Sequence, residues 1–233
     1  MTEGSYKQFC PVAMASEVLC NRWTMIVVRE LVCGSARFND LKRGVPRMSP
    51  ALLSKRLKDL ELAGVVERIA ISGKSGGHEY RLTPAGWDLE PIVKAMGIWG
   101  QRWVETAPTL QNVDPELLMW DMRRNIDVAG LPRQRTVVQF TFSDRPEKKR
   151  CYWLVIEARG EVDVCSLDPG FDVDLYVTTD LRTMTAIWLG LTTVRTEIDR
   201  NRLTVVGDRD LERTMPLWLG LSTFAGERKL ATA

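Results

Sequence analysis

The sequence contains one histidine, His78, and five cysteines that form no C-x-x-C pair. This inventory argues against a zinc site and against a disulfide framework, so we expect no metal. No apolar run approaches the roughly 20 residues that span a membrane, and residues 1–7 lack the apolar core of a signal peptide. We therefore expect a cytoplasmic protein without a membrane partner.

Patterns that carry catalysis are missing as well. The sequence has no G-x-S-x-G motif, no Ser/His/Asp arrangement and no glycine-rich phosphate loop after a predicted strand. The paired acids Asp172 and Asp174 fit a solvated strand edge better than a catalytic pair. We therefore expect no enzyme activity, no catalytic residue and no cofactor.

Composition and charge describe a globular chain with a basic first half. Of the 233 residues, 45% are hydrophobic and 27% are charged, which suits two ordinary domains with their own cores. Residues 1–106 hold 15 Lys and Arg against 11 Asp and Glu, a net +4. Residues 107–233 hold 17 against 19, a net −2. Any affinity for nucleic acid is therefore expected in the first half.

Residues 38–82 predict a winged helix-turn-helix. A short helix over residues 38–43 is followed by a break at 44–46 and by a second helix, capped by Ser49, from Pro50 to Ala63. Gly64 suits the position after a helix end. Two short strands then flank a glycine-rich loop at residues 73–77 and form the hairpin, or wing.

The second helix of this motif has one apolar face and one basic face. Its leucines recur at positions 53, 57 and 60 and predict a buried stripe. The opposite face suits a recognition helix in the major groove, and the wing loop suits contact with phosphate or a minor groove. The alternatives are a solvated basic face and a turn that touches no DNA. The DNA-binding candidates are Ser49, Pro50, Ala51, Ser54, Lys55, Lys58, Lys74 and His78.

Helices are predicted on both sides of the motif, over residues 11–21, 22–34 and 84–104. The last helix carries more apolar residues, including Trp99 and Trp103, than one small domain can cover. Such a helix usually packs against a partner, so we expect a dimer interface there. Cys10 is expected to be exposed near the N-terminus, and the other cysteines are expected to be small buried hydrophobes.

A set of motifs in the first half carries a family resemblance. It comprises Cys10-Pro11-Val12, Arg22-Trp23-Thr24, Arg29-Glu30-Leu31, Arg37-Phe38-Asn39-Asp40-Leu41, Ser49-Pro50, Leu60-Glu61, Gly64-Val65-Val66-Glu67-Arg68 and Tyr80-Arg81-Leu82-Thr83-Pro84. Over residues 8–105 the sequence resembles the HxlR-type subgroup of MarR-like transcriptional regulators. The resemblance implies a homodimer, joined through its terminal helices, that binds a near-palindromic double-stranded DNA operator, usually as a repressor. Several members carry a redox-active cysteine at the place of Cys10, and typical members end near residue 110.

The second half of the sequence predicts an α+β domain. Beyond a linker at residues 107–109 and a helix over 114–124, four segments alternate in a way that predicts a meander of antiparallel strands. These segments are residues 136–143, 151–158, 161–165 and 172–178. Helices over 180–189 and 193–201, a strand over 203–207 and a helix over 208–219 would cover one face of a mainly antiparallel sheet.

The order of these elements, with the passage Arg200 to Gly207, resembles the sterol carrier protein type two family over residues 112–224. The resemblance implies a tunnel for lipid-like ligands and no catalytic residue. The repeat of Trp188-Leu189-Gly190-Leu191 as Trp218-Leu219-Gly220-Leu221 favours an apolar chamber, although plain core packing explains it too. The candidate ligand-binding residues are Phe140, Trp153, Trp188, Leu189, Trp218 and Leu219.

We therefore expect a multi-domain chain. It would have a mainly α winged helix-turn-helix domain over residues 8–106, an α+β ligand-binding domain over 112–224 and a tail over 225–233. The leading hypothesis is a homodimeric DNA-binding regulator whose second domain binds a hydrophobic small-molecule effector. Two alternatives stay open: a redox-responsive regulator switched through Cys10, and a lipid-carrier-like protein whose second domain is purely structural.

Overall fold

The computed structural model describes residues 5–71, 77–105, 110 and 113–230. It divides into two compact units, Met1–Gly97 and Ile98–Ala233. None of the helices in the described ranges is both long enough and apolar enough to cross a membrane. The predicted linker at residues 107–109 lies outside the described residues.

The first unit is mainly helical. Its elements are α1 (Pro11–Leu19), α2 (Thr24–Val32), α3 (Phe38–Gly44), α4 (Pro50–Leu62), β1 (Val66–Ala70), β2 (His78–Leu82), α5 (Pro84–Trp87) and α6 (Glu90–Trp103). Helix α6 runs across the division between the two units, so the division falls ahead of the predicted domain boundary near residue 106. The predicted winged helix-turn-helix is present from α3 to β2.

One core holds the first unit together. The leucine stripe predicted on α4 is confirmed, because Leu53, Leu57 and Leu60 are buried in one cluster with Val27 of α2 and Leu41 of α3. The wing is tied to the same unit by a short backbone pairing. The Tyr80 N–H donates to the Ala36 carbonyl at 2.8 Å. The backbones of Arg37 and Glu79 form an isolated antiparallel β-bridge.

The helix predicted over residues 84–104 is two helices. Helix α5 ends at Trp87 and α6 begins at Glu90. Pro91 has no N–H to donate to the Trp87 carbonyl, and its ring disfavours a continuous helix through this point. The chain turns there instead, and the Leu89 N–H donates to the Gly86 carbonyl at 3.1 Å.

The second unit is a five-stranded sheet with helices packed on one face. Its elements are α7 (Pro115–Met122), β3 (Thr136–Phe142), β4 (Cys151–Ile156), β5 (Val162–Cys165), β6 (Leu175–Thr179), α8 (Leu181–Trp188), α9 (Val194–Asp199), β7 (Leu203–Gly207) and α10 (Arg209–Trp218). The helices begin where the sequence predicts, because Asp114, Asp180, Thr193 and Asp208 each accept a hydrogen bond from a backbone N–H of the following turn.

The strand order, β5-β4-β3-β6-β7, corrects the predicted antiparallel meander. Strands β3, β4 and β5 do form a meander, but β6 lies on the other side of β3 and runs parallel to it, with Val177 beside Phe140. Residues 166–174 make the crossing that a parallel neighbour requires. Strand β7 then returns antiparallel to β6. Alternation could not reveal this, because side chains alternate with period two in both kinds of pairing.

Both copies of the repeated Trp-Leu-Gly-Leu sequence close a helix. Gly190 and Gly220 have φ of 71° and 65°, a left-handed conformation that glycine adopts without a steric penalty. A Cβ on Gly220 would lie 1.9 Å from the carbonyl oxygen of Asn125. The repeat therefore has a structural role, which is to end α8 and α10 with a buried tryptophan before the turn.

Candidate nucleic-acid interface

Helix α4 presents a polar face to solvent opposite its buried leucines. Ala51, Ser54, Lys55 and Lys58 are all exposed, as the sequence predicts. Neither lysine has an ion-pair partner in the described part of the chain. The neighbouring acid on the helix, Asp59, is held by Arg56 Nη1 at 2.8 Å. The exposed face of α4 therefore offers two lysines whose charge is available to a phosphate.

The first turn of α4 is also open to solvent. Ser49 and Pro50 are exposed, and the Ser49 hydroxyl accepts a hydrogen bond from the Leu52 N–H at 3.2 Å. Pro50 occupies the first helical position, where a missing N–H removes no intrahelical bond. Because a helix N-terminus carries partial positive charge, this end of α4 favours an approaching phosphate.

A buried carboxylate lies beneath the turn that joins α3 to α4. Glu30 of α2 is 0% exposed, and its carboxylate accepts hydrogen bonds from Arg29 Nη2 at 2.5 Å and from Ser35 Oγ at 3.2 Å. Gly44, the last residue of α3, leaves the space that this carboxylate fills. A buried carboxylate needs such hydrogen bonds. Its close fit against Gly44 joins α2 to the end of α3. Glu30 was not among the candidate functional residues predicted from the sequence. A charged residue among the apolar residues of α2 was the signal that could have indicated it.

The wing carries charged side chains next to His78 that were not predicted from the sequence. His78 is exposed, and its Nδ1 lies 3.0 Å from Arg68 Nη2 on the neighbouring strand. Arg81 Nη2 donates to Glu79 at 2.9 Å, and Arg37 Nε lies 4.0 Å from the same carboxylate. The hairpin register sets Glu67 opposite Arg81 and Arg68 opposite Tyr80, so Arg81 and Arg68 lie on opposite faces of the hairpin. No signal in the sequence gave this register. The other wing candidate, Lys74, lies outside the described residues.

Known proteins match the half of the chain that carries this geometry. Residues 18–108 match the model of the HxlR-like helix-turn-helix family. The HTH-type transcriptional regulator YvaP of Bacillus subtilis is 37% identical over 101 residues, which are 43% of this chain and 94% of YvaP. The chain belongs to the HxlR-like helix-turn-helix family.

Two further proteins are similar to the same part of this HxlR-like chain. The HTH-type transcriptional regulator Mb3122 of Mycobacterium bovis is 38% identical over 95 residues, which are 40% of this chain and 58% of Mb3122. The reduced form of the transcriptional regulator YodB from Bacillus subtilis is 28% identical, with 43% of this chain and 99% of YodB covered and a TM-score of 0.38.

In this HxlR-like chain the first and last helices of the DNA-binding half are apolar but not buried. Helices α1 and α6 contain no buried residue. Ile92, Met96, Trp99 and Trp103 are all exposed, and their spacing places them along one side of α6. Within the first unit, a groove of about 650 Å³ lies between α1, α2 and α6 and is lined by apolar side chains that include Trp23. An apolar surface of this extent is typical of a face that packs against another protein.

The thiol of Cys10 stands at the start of α1 and is exposed. The backbone amides of Ala13 and Val12 lower the pKa of Cys10, although the thiol makes no regular capping hydrogen bond. The expectation that the other cysteines are buried is wrong for Cys20 and Cys33, which are exposed. Cys151 and Cys165 are partly buried.

The candidate ligand-binding residues of the second unit fall into two groups. Phe140, Trp188, Trp218 and Leu219 are buried in one core, and Leu189 packs against it. Trp218 Nε1 donates to the Leu211 carbonyl at 2.9 Å, so its polar group is satisfied inside the unit.

Trp153 does not belong to that core. It pairs with Gln139, whereas Tyr152 pairs with Phe140, so Trp153 lies on the opposite face of the sheet. Tyr152 takes the inward position and is buried beside Phe142. The sequence offered two aromatic residues in succession, and alternation alone did not say which of them faces the helices.

Proposed function

We propose that this chain is a cytoplasmic, homodimeric repressor that binds a near-palindromic double-stranded operator through α4. The exposed line of Ala51, Lys55 and Lys58, opposite the buried leucines, supports this proposal most directly. Two copies related by a twofold axis would place their α4 helices in major grooves one helical turn apart, about 34–36 Å, or a multiple of that distance.

The wing extends the proposed interface with DNA. Arg68 and His78 lie on one side of the hairpin, where they would meet backbone phosphate next to the groove that α4 occupies. Base contacts would come from the first turns of α4, through Ser49, Pro50, Ala51 and Ser54, and the lysines would contribute affinity that depends on salt.

A mobility-shift assay tests the role of α4. The probe is an operator selected by the full chain from random double-stranded DNA, and the variants are Lys55→Ala and Lys58→Ala. We expect each change to weaken binding and to reduce the salt slope by about 0.9 for each phosphate that is no longer neutralised. Lys148→Ala removes the same charge from an exposed position in the second unit and is expected to have no effect. If neither α4 lysine affects binding, α4 is not the recognition helix.

We propose further that a hydrophobic small molecule binds in the second unit and changes operator affinity. The support is the large apolar core, in which Trp188 and Trp218 lie between helices and sheet. Because both tryptophans are buried in this core, a ligand would have to separate α8 or α10 from the sheet. It would regulate only by binding the two states of the protein with different affinity.

Binding of an effector to the second unit is tested with a panel of lipids and polyketides on the full chain. A ligand at 100 times its Kd stabilises the folded chain by about 2.7 kcal/mol, which thermal unfolding detects. Ligand binding should also change tryptophan fluorescence. We expect this change to become smaller in Trp188→Phe and to persist unaltered in Trp153→Phe, because Trp153 faces away from the core. A panel that changes neither stability nor DNA binding would remove the effector from the proposal.

Oxidation of Cys10 is a second candidate signal that would change operator binding. The exposed thiol with a lowered pKa favours it, because the thiolate is the form that reacts with peroxide. In a homodimer, two such thiols and one peroxide would give an intersubunit disulfide and two waters.

A further inference from the structure

The two edges of the five-stranded sheet differ in how they are protected. Strand β5, at one edge, has four residues and carries exposed Asp163 in its middle. Strand β7, at the other edge, has five residues, Leu203–Gly207, with no charge and no proline, and β6 is its one strand neighbour in the described chain. Bare edges of this kind accept another strand, and proteins usually block them with charge, proline or a covering loop.

The backbone of β7 shows which groups face outward. The Asp208 N–H donates to the Asp174 carbonyl at 2.9 Å, and the Arg202 carbonyl accepts from Thr179 Oγ1 at 2.8 Å, so residues 202 and 208 face β6. The Thr179 carbonyl in turn accepts from the Ser143 N–H at 2.9 Å, on the side of β3. Backbone groups alternate in direction along a strand, so those of residues 203, 205 and 207 point away from the sheet.

These outward groups are self-complementary. In an antiparallel pair of two β7 strands centred on Val205, residue 203 of one copy faces residue 207 of the other, and 205 faces itself. Every outward-pointing residue then meets an outward-pointing residue, which is the condition for a ladder of hydrogen bonds. Val206, which is 59% exposed, would gain Thr204 of the second copy as its cross-strand neighbour.

The charges that flank β7 match in the same register. Arg202 of one copy would stand opposite Asp208 of the other, on both sides of the pair. Arg202 holds Glu197 through Nε and Nη2, at 2.5 and 2.9 Å, and keeps Nη1 available. Asp208 caps α10 through Oδ1 alone, by accepting from Asp210 and Leu211, and keeps Oδ2 available. If two β5 strands paired instead, Asp163 of one chain would lie close to Asp163 of the other, and the two negative charges would repel each other.

We propose that β7 pairs antiparallel with β7 of a second copy of this chain, which joins the two five-stranded sheets into one. This pairing is separate from the proposed interface on α1 and α6. A strand pair alone buries less than the roughly 1,200 Å² of a stable interface, so it forms readily only at high concentration or where another interface already joins the two copies.

Amide hydrogen exchange on the full chain tests the pairing residue by residue. The amides of Thr204 and Val206 face β6 and serve as internal controls. With pairing, we expect Leu203, Val205 and Gly207 to exchange about 100-fold more slowly than exposed amides, and to become less protected on dilution. Exchange of these three amides at exposed rates at every concentration, with Thr204 and Val206 still protected, overturns the proposal.

Disulfide trapping tests the register. Thr204→Cys in one preparation and Val206→Cys in another would place two thiols opposite each other in a mixed pair, with Cα atoms about 4.5–5.5 Å apart. Both positions are exposed, so the sheet keeps its core. Because Cys10, Cys20 and Cys33 are exposed, both variants are made in a chain in which these three cysteines are replaced by serine. We expect an oxidised dimer in the mixture that is absent from either variant alone and from the serine-substituted parent chain. A mixture that gives no such product, although each variant keeps its secondary structure, contradicts this register.

Discussion

The carboxylate of Glu30 occupies the space that a Cβ on Gly44 would need. Such a Cβ would lie 1.9 Å from Glu30 Oε2, which is far inside van der Waals contact. Glu30 belongs to α2 and Gly44 ends α3, so this fit joins the scaffold of the first unit to the turn before α4. The end of α3 thus depends on a glycine and a buried acid, neither of which belongs to the exposed face of α4.

Gly44→Ala should destabilise the first unit. The added methyl would overlap a buried carboxylate that is held by Arg29 and Ser35, and overpacking of this kind costs about 1–3 kcal/mol. Urea unfolding followed by circular dichroism measures the change. Gly130→Ala is the matched control, because a Cβ at Gly130 would meet no atom within 4 Å. Equal stability of the two variants would contradict the fit described for Glu30.

Met96→Glu should dissociate the proposed homodimer. Met96 is exposed in the single chain, so the change leaves folding intact, but a carboxylate in an apolar interface loses its hydration without a partner. Sedimentation velocity measures the oligomeric state, and operator affinity should fall with it. Lys94→Glu is the control, because Lys94 is exposed two positions away on another side of α6. If Met96→Glu sediments like the unmodified chain, the interface lies elsewhere.

Glu197 should make the second unit less stable in acid. Its side chain is 1% exposed, and the hydrogen bonds from Arg202, with support from Thr192, hold the pKa of Glu197 below its ordinary value of 4.5. Because the folded-state pKa is the lower one, this stabilisation is complete above about pH 4.5 and is lost as the pH falls through the folded pKa.

The variant Glu197→Gln measures that contribution. It should lower the free energy of unfolding at pH 7 by about 1–3 kcal/mol, since Arg202 loses its charge partner but stays partly solvated, and the difference should shrink in acid. Glu212→Gln, at an exposed position of α10, should unfold like the unmodified chain at every pH. If the free energy of unfolding falls with pH by the same amount in Glu197→Gln and in the unmodified chain, groups other than Glu197 cause the loss of stability in acid.

If oxidation of Cys10 is the signal that releases DNA, Cys10→Ser should make DNA binding insensitive to peroxide. The exposed thiol and its lowered pKa favour reaction at this position. Mobility shifts before and after peroxide treatment measure the effect, and Cys33→Ser serves as the control for another exposed cysteine. A Cys10→Ser protein that still releases DNA after oxidation excludes this switch.

Features with a local cause could be predicted. The buried leucines at positions 53, 57 and 60 follow from the helical period, and the starts of α4, α7, α8 and α10 follow from capping residues that act within one turn. The candidates on α4 were predicted as exposed, and they are exposed. The wing residues Arg68 and Arg81 were missed because the face of the hairpin on which each lies depends on the register between its two strands.

Features that depend on contacts with other helices or strands were predicted less well. The split of the helix after Trp87 had a local signal in Pro91, but the apolar pattern on both sides of it concealed the break. Trp153 was assigned to the interior because period two separates two faces without saying which one the helices cover. The burial of Glu30 depends on its fit against Gly44, a residue on another helix.

The sequence by itself determined the winged helix-turn-helix, the exposed basic face of α4 and the α+β character of the second unit, because period, capping and turn residues act over a few neighbouring positions. Only the tertiary structure decided that β6 runs parallel to β3, that β7 forms a bare edge and that Glu30 lies under the turn. Those outcomes depend on contacts between residues far apart in the chain, where many pairings share the same local pattern.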